Sequence, residues 1–474
     1  WLEAALVAAA AAGLLLVAAR HLWALRWRLS RDRTSALPLP RGSMGWPFLG
    51  ETLHWLIQVS TRQRQRCLGR GGGGNPRGWE FLPFTRWAAS LPVLCLSLSL
   101  RTQILARVFS HAALEVYLPP IQRLVSWELR GWRHHPGPIA VYASAKALTF
   151  RIAVRILLGL RLEEEPFEEL SRAFEQLVEN LFSLPLNVPF SGLRKGIKAR
   201  DLLHTYMEKA ILEKLQRKDP DAHRDALDFI INSAKEHGQD FTMQELKESA
   251  IELIFAAFFT TASATTSMIL LLLKHPLVIK KIQLELASNG LTGSEYCCHP
   301  YLTLEKLNSL RYLDCVIKEV LRLLPPVSGG YRTALQTFEL DGYQIPKGWS
   351  VMYSIRDTHE TASIYQSPPD TFDPERFWVS LEDQEENKTS ASLRFHYIPF
   401  GGGVRNCIGK ELAKAILKML AVELVSTASW ELATAHFPKM QTVPIVHPVD
   451  DLQVYFHSLK AGHESSSGTG KVNA

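Results

Sequence analysis

The densest chemistry in the sequence lies in ten residues, Phe400-Gly401-Gly402-Gly403-Val404-Arg405-Asn406-Cys407-Ile408-Gly409. They read F-x-x-G-x-R-x-C-x-G and precede a helical run from Lys410 to Leu424. A helix N-terminus presents free N–H donors and partial positive charge, which biases a cysteine there towards thiolate. A thiolate is a strong axial ligand for haem iron. The glycines let backbone approach a flat macrocycle where a Cβ would collide. Arg405 can reach a haem propionate with a charge-assisted hydrogen bond. A lone cysteine would read as a buried thiol beside a helix cap. The full pattern favours a metal ligand.

Two further constellations are positioned to serve that cysteine. Met243 to Lys274 reads as one long apolar helix with Ala256-Ala257-Phe258-Phe259-Thr260-Thr261 at its centre. The alanines leave room beside the backbone. The Thr260 hydroxyl can bond back to the Ala256 carbonyl four residues earlier and bend the helix. The groove so formed suits dioxygen beside an alcohol, and Phe258 and Phe259 make the pocket apolar. Without the cysteine loop, a buried helix with satisfied threonines would account for the same residues. Glu319 and Arg322 form E-x-x-R at i, i+3, on one helix face. Phe372-Asp373-Pro374-Glu375-Arg376-Phe377 follows, and Arg376 can join the pair in a buried charge cluster. Removing one member of such a cluster costs roughly 3–5 kcal/mol.

These motifs, in this order, resemble those of the cytochromes P-450: the haem-binding loop, the oxygen-binding helix, E-x-x-R and P-E-R-F. The resemblance implies a mainly α fold, a large helical haem-binding unit with small β-sheets. It implies haem b held by Cys407 as axial iron ligand, with Phe400, Gly401, Arg405 and Gly409 in the loop. Arg332 would contact the second propionate, and Arg101 is the remnant of a basic residue on the family's third helix. Thr260, Thr261 and ordered water would deliver protons, because the acid usual in the oxygen-binding motif is Phe259 here. Pocket-lining positions would be Phe190, Val327, Gly329 and Tyr331 beside Phe258 and Phe259. Long runs such as VENLFSLPLNVPFSGLRKGIKARD and LRLLPPVSGGYRTALQTFELDGYQIPKGWSVMYSIRDTHE resemble the retinoic-acid-hydroxylating family 26, nearest its C member. That implies 4-hydroxylation of all-trans-retinoic acid, using O2 and electrons from NADPH through cytochrome P-450 reductase. Hydroxylation of another lipid, a sterol or fatty acid, is the rival activity.

The elements that must position these groups occupy a chain of 474 residues, 46% hydrophobic and 21% charged, ample for a large core. The net charge of +6 comes without a basic tract interleaved with aromatics, so no nucleic acid partner is indicated. Six cysteines show no framework spacing, and Cys297-Cys298-His299 reads as an ordinary loop. Ala4 to Ala19 is unbroken apolar sequence, and arginines 20, 26, 28, 31 and 33 follow it. Residues 1–25 therefore read as a membrane anchor, with the bulk of the chain on the cytosolic face of the endoplasmic reticulum. Residues 26–43 form a basic, proline-rich hinge, 44–460 the monooxygenase unit, and 461–474 a disordered tail.

One stretch departs from the pattern. Between about 59 and 102 the sequence includes Arg70-Gly71-Gly72-Gly73-Gly74 and LPVLCLSLSL, with no alternating strand pattern where the first sheet should lie. It reads as foreign sequence within an otherwise good family member; a genuine divergent loop is the other reading. A product that is non-catalytic for this reason is the reading from a different functional class. Beyond it, helices are expected over Ala145–Leu160, Phe167–Leu181 and Ala199–Lys218, with a proline-broken connection at 184–193. A basic surface is expected at Arg194, Lys195, Lys198 and Arg200, and a hairpin over Phe338–Val351.

Overall fold

A computed structural model describes residues 2–40, 108–181, 183, 187–216, 225–236, 241–291, 302–361, 367–378, 395–403, 406–442 and 445–459. The anomalous stretch 59–102, Arg101, Arg405, Cys297-Cys298-His299 and the 461–474 tail lie outside the described residues.

The chain runs through helix α1 (Leu2–Leu29), α2 (His111–His134), strand β1 (Ile139–Ala140) and α3 (Val141–Ile152). A π-helical turn (Ala153–Leu157) continues α3. Then follow α4 (Glu164–Glu179), α5 (Gly192–Leu215), α6 (Ala226–Glu236), α7 (Met243–Lys274), α8 (Pro276–Ser288), α9 (Leu304–Ser309) and α10 (Arg311–Leu323). Strands β2 (Gly329–Thr333), β3 (Phe338–Leu340), β4 (Tyr343–Ile345) and β5 (Ser350–Ser354) lead into α11 (Ile355–Thr361) and a 3₁₀ turn (Pro374–Phe377). The chain closes with α12 (Lys410–Thr427), β6 (Ala428–Leu432), β7 (Met440–Gln441), β8 (His447–Pro448) and β9 (Gln453–Ser458). Among the described residues helices dominate, as expected, and the four small sheets are antiparallel: β1-β9-β6, β2-β5, β3-β4 and β7-β8.

The core is built around α7. Its start is fixed by a reciprocal capping box: Thr242 Oγ1 accepts from the Glu245 N–H, and Glu245 accepts from the Thr242 N–H. It is long and apolar enough to cross a membrane, but 78% of that apolar window is buried within the protein, so it is a core helix. Helices α3, α5, α10 and α12 pack around it. Two boundaries differ from the sequence expectation. Helix α5 starts at Gly192 and not Ala199, because the Ser191 hydroxyl accepts the Arg194 N–H and caps the helix directly after the proline-broken turn. The expected helix over Ala145–Leu160 starts at Val141, becomes π-helical and stops at Leu157; Gly159 then takes a φ of +65°. A Cβ there would lie 2.0 Å from Asp225 Oδ2.

The segment after α1 is bound to the β3–β4 hairpin. The Trp27 and Trp349 rings lie 4.5 Å apart, and Trp349 Nε1 donates to Ser30 Oγ at 3.2 Å. Gln344, fully buried, accepts the Asp32 N–H at 2.8 Å through Oε1 and donates to the Leu37 carbonyl through Nε2. Its backbone N–H donates to the Pro38 carbonyl at 3.0 Å. Hydrogen bonds from Thr337 and Thr34 pull the Asp32 carboxyl down to about 2. The hinge is thus stiffened by docking as well as by its prolines. Replacing Gln344 by Ala removes both side-chain bonds from a buried site, a loss of about 1–3 kcal/mol. Limited trypsin cleavage at Arg31 and Arg33 should accelerate in Gln344→Ala while the rest of the chain is cut at the wild-type rate.

Candidate active site

Glu319 and Arg322 project from α10 with neither side chain exposed. Arg322 grips the carboxylate with both arms, Nε to Oε2 at 2.7 Å and Nη2 to Oε1 at 2.8 Å. Arg376, on the 3₁₀ turn, adds Nε to Oε1 at 3.3 Å, and the Asp373 N–H donates to the same oxygen at 3.0 Å. Two cations share one anion, so the cluster carries net positive charge. Carbonyl dipoles offset the excess: Arg322 donates to Pro369 and Thr371, and Arg376 donates to Ser367, Pro368 and Thr371. The spacing in the sequence identified the three side chains. The carbonyls that complete them come from a loop whose identity spacing does not specify.

A residue that the sequence reading missed joins this cluster to the cysteine loop. His359, on α11, is fully buried. Its Nε2 accepts the Ile398 N–H at 2.9 Å, so the proton sits on Nδ1, which donates to the Arg322 carbonyl at 3.1 Å. Burial pushes its pKa down to about 4, with the bond to Arg322 opposing. The only signal available was a lone His within R-D-T-H-E, between the two halves of the charge cluster. Beside it, Tyr397 stacks at 5.3 Å and donates to the Lys318 carbonyl on α10 at 3.0 Å.

From Ile398 the loop closes on itself. The Gly401 N–H donates to the Ile398 carbonyl at 2.9 Å, and the Cys407 N–H to the Phe400 carbonyl at 2.8 Å. Gly401 adopts a φ of +80°, a left-handed conformation that favours glycine. The Ala413 N–H donates to the Gly409 carbonyl at 2.9 Å, which places Gly409 at the cap of α12. Phe400, Gly401, Cys407 and Gly409 are therefore brought together as expected. Cys407 is open at the surface, but the protein packed around its sulfur is enough for burial to raise the thiol pKa, opposed by the Gly409 N–H and the Lys410 charge. The helix terminus alone therefore does not hold a thiolate, contrary to the expectation. A metal ion at the open face would, because a coordinating thiol gives up its proton.

On α7 the Thr260 hydroxyl donates to the Ala256 carbonyl at 2.6 Å, as expected. Ala256 is exposed and Ala257 and Thr260 are partly so, whereas residues 261–272 are all buried. One face at the middle of a core helix thus borders an opening. Thr261 belongs to the buried side. The aromatic pair is buried as well. Phe258 is 0% exposed, stacks 5.0 Å from Phe150, and its carbonyl accepts from Thr149 Oγ1; Phe259 is 8% exposed against Phe258. Phe190 is 92% exposed at a φ of 68°, so no described residue encloses it as a substrate contact. Arg194, Lys195 and Lys198 are exposed on α5, and Arg200 pairs with Asp201 at 2.7 Å.

On β2, Val327, just before the strand, and Tyr331 are exposed and Gly329 is partly buried, where a Cβ would meet the Tyr353 carbonyl at 2.3 Å. Arg332 is exposed and extends over the Tyr353 ring, 5.3 Å from its centroid, donating to the Tyr331 carbonyl at 2.7 Å. The residues present fit a haem. A surface-open thiol sits in a glycine-turned loop, the exposed Arg332 guanidinium, bonded to the neutral Tyr331 carbonyl and Tyr353 hydroxyl, is available for an acid group, and small residues open the facing helix.

Comparison with known proteins agrees. The family described as Cytochrome P450 matches residues 100–455, so the match begins at the end of the anomalous stretch. The chain is 58% identical to cytochrome P450 26C1 of Homo sapiens, covering 97% of this chain and 96% of that one. It is 50% identical to cytochrome P450 26B1 of Homo sapiens, covering 94% and 92% respectively. Among solved structures it is similar to retinoic acid bound cyanobacterial CYP120A1, at 30% identity and a TM-score of 0.74 over 90% of this chain and 100% of that one.

Two outcomes follow from the charge cluster and its histidine. Glu319→Ala leaves two buried guanidiniums without their anion and should cost about 3–5 kcal/mol of stability, read as a matching fall in the denaturant midpoint. For His359, the unfolded chain titrates near 6.5, and the folded one about 4. Between those values the unfolded state binds the extra proton, so stability is fully present above about 6.5 and is lost as pH falls towards 4. Denaturant midpoints measured from pH 7 to 4.5 should fall less steeply for His359→Gln, which does not titrate, than for wild type.

Proposed function

This chain belongs to the cytochrome P450 family, and on that premise we propose that it hydroxylates all-trans-retinoic acid at ring carbon 4, with Cys407 as the ligand to the iron of haem b. The observation that carries the ligand assignment is the surface-open Cys407 sulfur, in a loop hydrogen-bonded through to the buried Glu319 cluster. The substrate assignment is supported by the likeness to a retinoic acid bound structure and to the family 26 relatives.

When bound, the haem supplies the activation of dioxygen and the insertion of one oxygen atom into a C–H bond. The chain's own residues do the rest. Cys407 gives up its proton to coordination. Arg332, and Arg405 and Arg101 outside the described residues, would hold the propionates by charge-assisted hydrogen bonds. The proton of Thr260 is committed to the Ala256 carbonyl, so its oxygen lone pairs remain to accept from water in the opening. A retinoid presents a long apolar polyene. Val327 and Tyr331 beside Gly329 and the small residues of α7 offer an apolar wall for it. Phe258 and Phe259 contribute from behind, by packing α7 against α3.

Electrons would come from NADPH through cytochrome P-450 reductase, docking at the face around the cysteine loop, where Lys410 and Lys414 are partly exposed. Helix α1 would be the anchor in the endoplasmic reticulum membrane. Its 28 residues span about 42 Å at 1.5 Å each, and its Leu14, Leu15, Leu22 and Leu29 side chains are exposed. Arg26 and Arg28 in its last turn support a reading in which the remainder of the chain would lie on the cytosolic side.

Turnover of a panel of retinoids, sterols and fatty acids by the full chain with reductase and NADPH tests this reading. All-trans-retinoic acid should be consumed fastest and yield the 4-hydroxy product; faster oxidation of a sterol or fatty acid would refute the substrate assignment. Thr260→Val keeps the side-chain shape and removes the hydroxyl. Product formation should fall by at least about 10-fold, with the carbon monoxide difference spectrum unchanged.

A further inference from the structure

Hydrogen bonds and the main chain between them connect the charge cluster to the loop that carries Cys407, and an imidazole lies between the two. Glu319 holds Arg322, and the Arg322 carbonyl accepts from His359 Nδ1. Nε2 of the same ring accepts the Ile398 N–H. The Ile398 carbonyl then takes the Gly401 N–H, and the Phe400 carbonyl takes the Cys407 N–H. We propose that His359 is a positioning residue for the iron ligand: it fixes where the cysteine loop begins, and so where the Cys407 sulfur points. The inference rests on the reading of Cys407 as that ligand.

The geometry leaves the ring one arrangement. A backbone N–H can only donate, so Nε2 must be unprotonated and Nδ1 must carry the proton. Both partners are main-chain atoms on different segments, the end of α10 and the start of the loop. The ring therefore fixes the separation of two pieces of backbone whatever side chains they bear. The site is sealed, since His359 is fully buried and Tyr397 covers one face of the ring. Losing the Nε2 acceptor would leave the partly buried Ile398 N–H without its imidazole partner. The loop would be free to shift by the slack of that one contact. Tyr397 gives a second tie between loop and α10, through the Lys318 carbonyl, so the fold survives while the placement loosens.

The two ring nitrogens can be tested separately. Glutamine places its amide near Nε2 and can accept the Ile398 N–H. Asparagine places its amide near Nδ1 and cannot reach Ile398. Phenylalanine fills the site and offers neither bond. The full-length, haem-loaded protein in detergent is reduced and treated with carbon monoxide. The decay of the strongly red-shifted thiolate band into the neutral-thiol band is followed with time. His359→Phe and His359→Asn should decay roughly 3- to 10-fold faster than wild type, the size expected for one lost hydrogen bond. His359→Gln should decay at the wild-type rate.

A Phe variant as persistent as wild type overturns the proposal. So does a Gln variant that decays as fast as Phe, which would mean that ring packing and not the hydrogen bond matters. If the Phe variant does not fold, the Gln and Asn variants decide alone, and equal rates or a slower Asn variant overturn it. A wild type with no thiolate band overturns the reading of Cys407, and this inference with it. Loss of the distinction among variants with the wild-type band intact overturns only the role of His359.

Discussion

One carboxylate, that of Glu319, is shared by two guanidiniums in a place from which water is excluded. Such an arrangement is tolerable only if every remaining donor finds a partner, and the partners here are main-chain carbonyls from residues 367 to 371. The consequence is mechanical. Helix α10, the 3₁₀ turn and the intervening loop are held at fixed separations, and the segment that presents Cys407 is referenced to that block. A buried ion cluster is weak evidence for stability in itself, because desolvation offsets much of the attraction. Its value here lies in the geometry it enforces on its surroundings.

The second constraint is the double role of α7. Over residues 261–272 it is a core helix, buried on all sides. One turn earlier, Ala256, Ala257 and Thr260 turn a small-residue face outwards, while Phe258 keeps the opposite side packed on Phe150 and Phe259 packs on Phe258. Rigid packing behind and open space in front come from adjacent residues of one helix. The Thr260 hydroxyl, bonded back to Ala256, sits on the boundary.

How much of this could be read in advance depended on whether the determinant was local. The cysteine loop, the extent of α7, the Thr260 back-bond and the Glu319–Arg322–Arg376 cluster were legible, because each is fixed by local pattern along the chain. His359 was not, because both of its partners are backbone atoms and backbone has no sequence. The burial of Phe258 and Phe259 was not legible, because α7 is apolar all round and residue type alone does not say which face meets the opening. The outward projection of Phe190 is set by the conformation of its turn, which residue type does not specify. The start of α5 was set seven residues late because the prolines before it drew attention from the cap at Ser191. The thiolate bias at Cys407 assumed that the helix terminus outweighs desolvation, and around this sulfur it does not.

The docking of the chain after α1 onto the β3–β4 hairpin, through Trp27, Trp349 and Gln344, bears on how an apolar substrate arrives. A tether would let the body of the protein tumble, and the mouth of the site would sample water and lipid in turn. With α1 as the proposed membrane anchor, a docked segment instead fixes the angle between α1 and the body, leaving rotation about the membrane normal as the free motion. The mouth then keeps a constant depth and tilt relative to the lipid. The quantity that governs encounter becomes the two-dimensional density of substrate dissolved in the bilayer, set by its partition coefficient, and not its concentration in water.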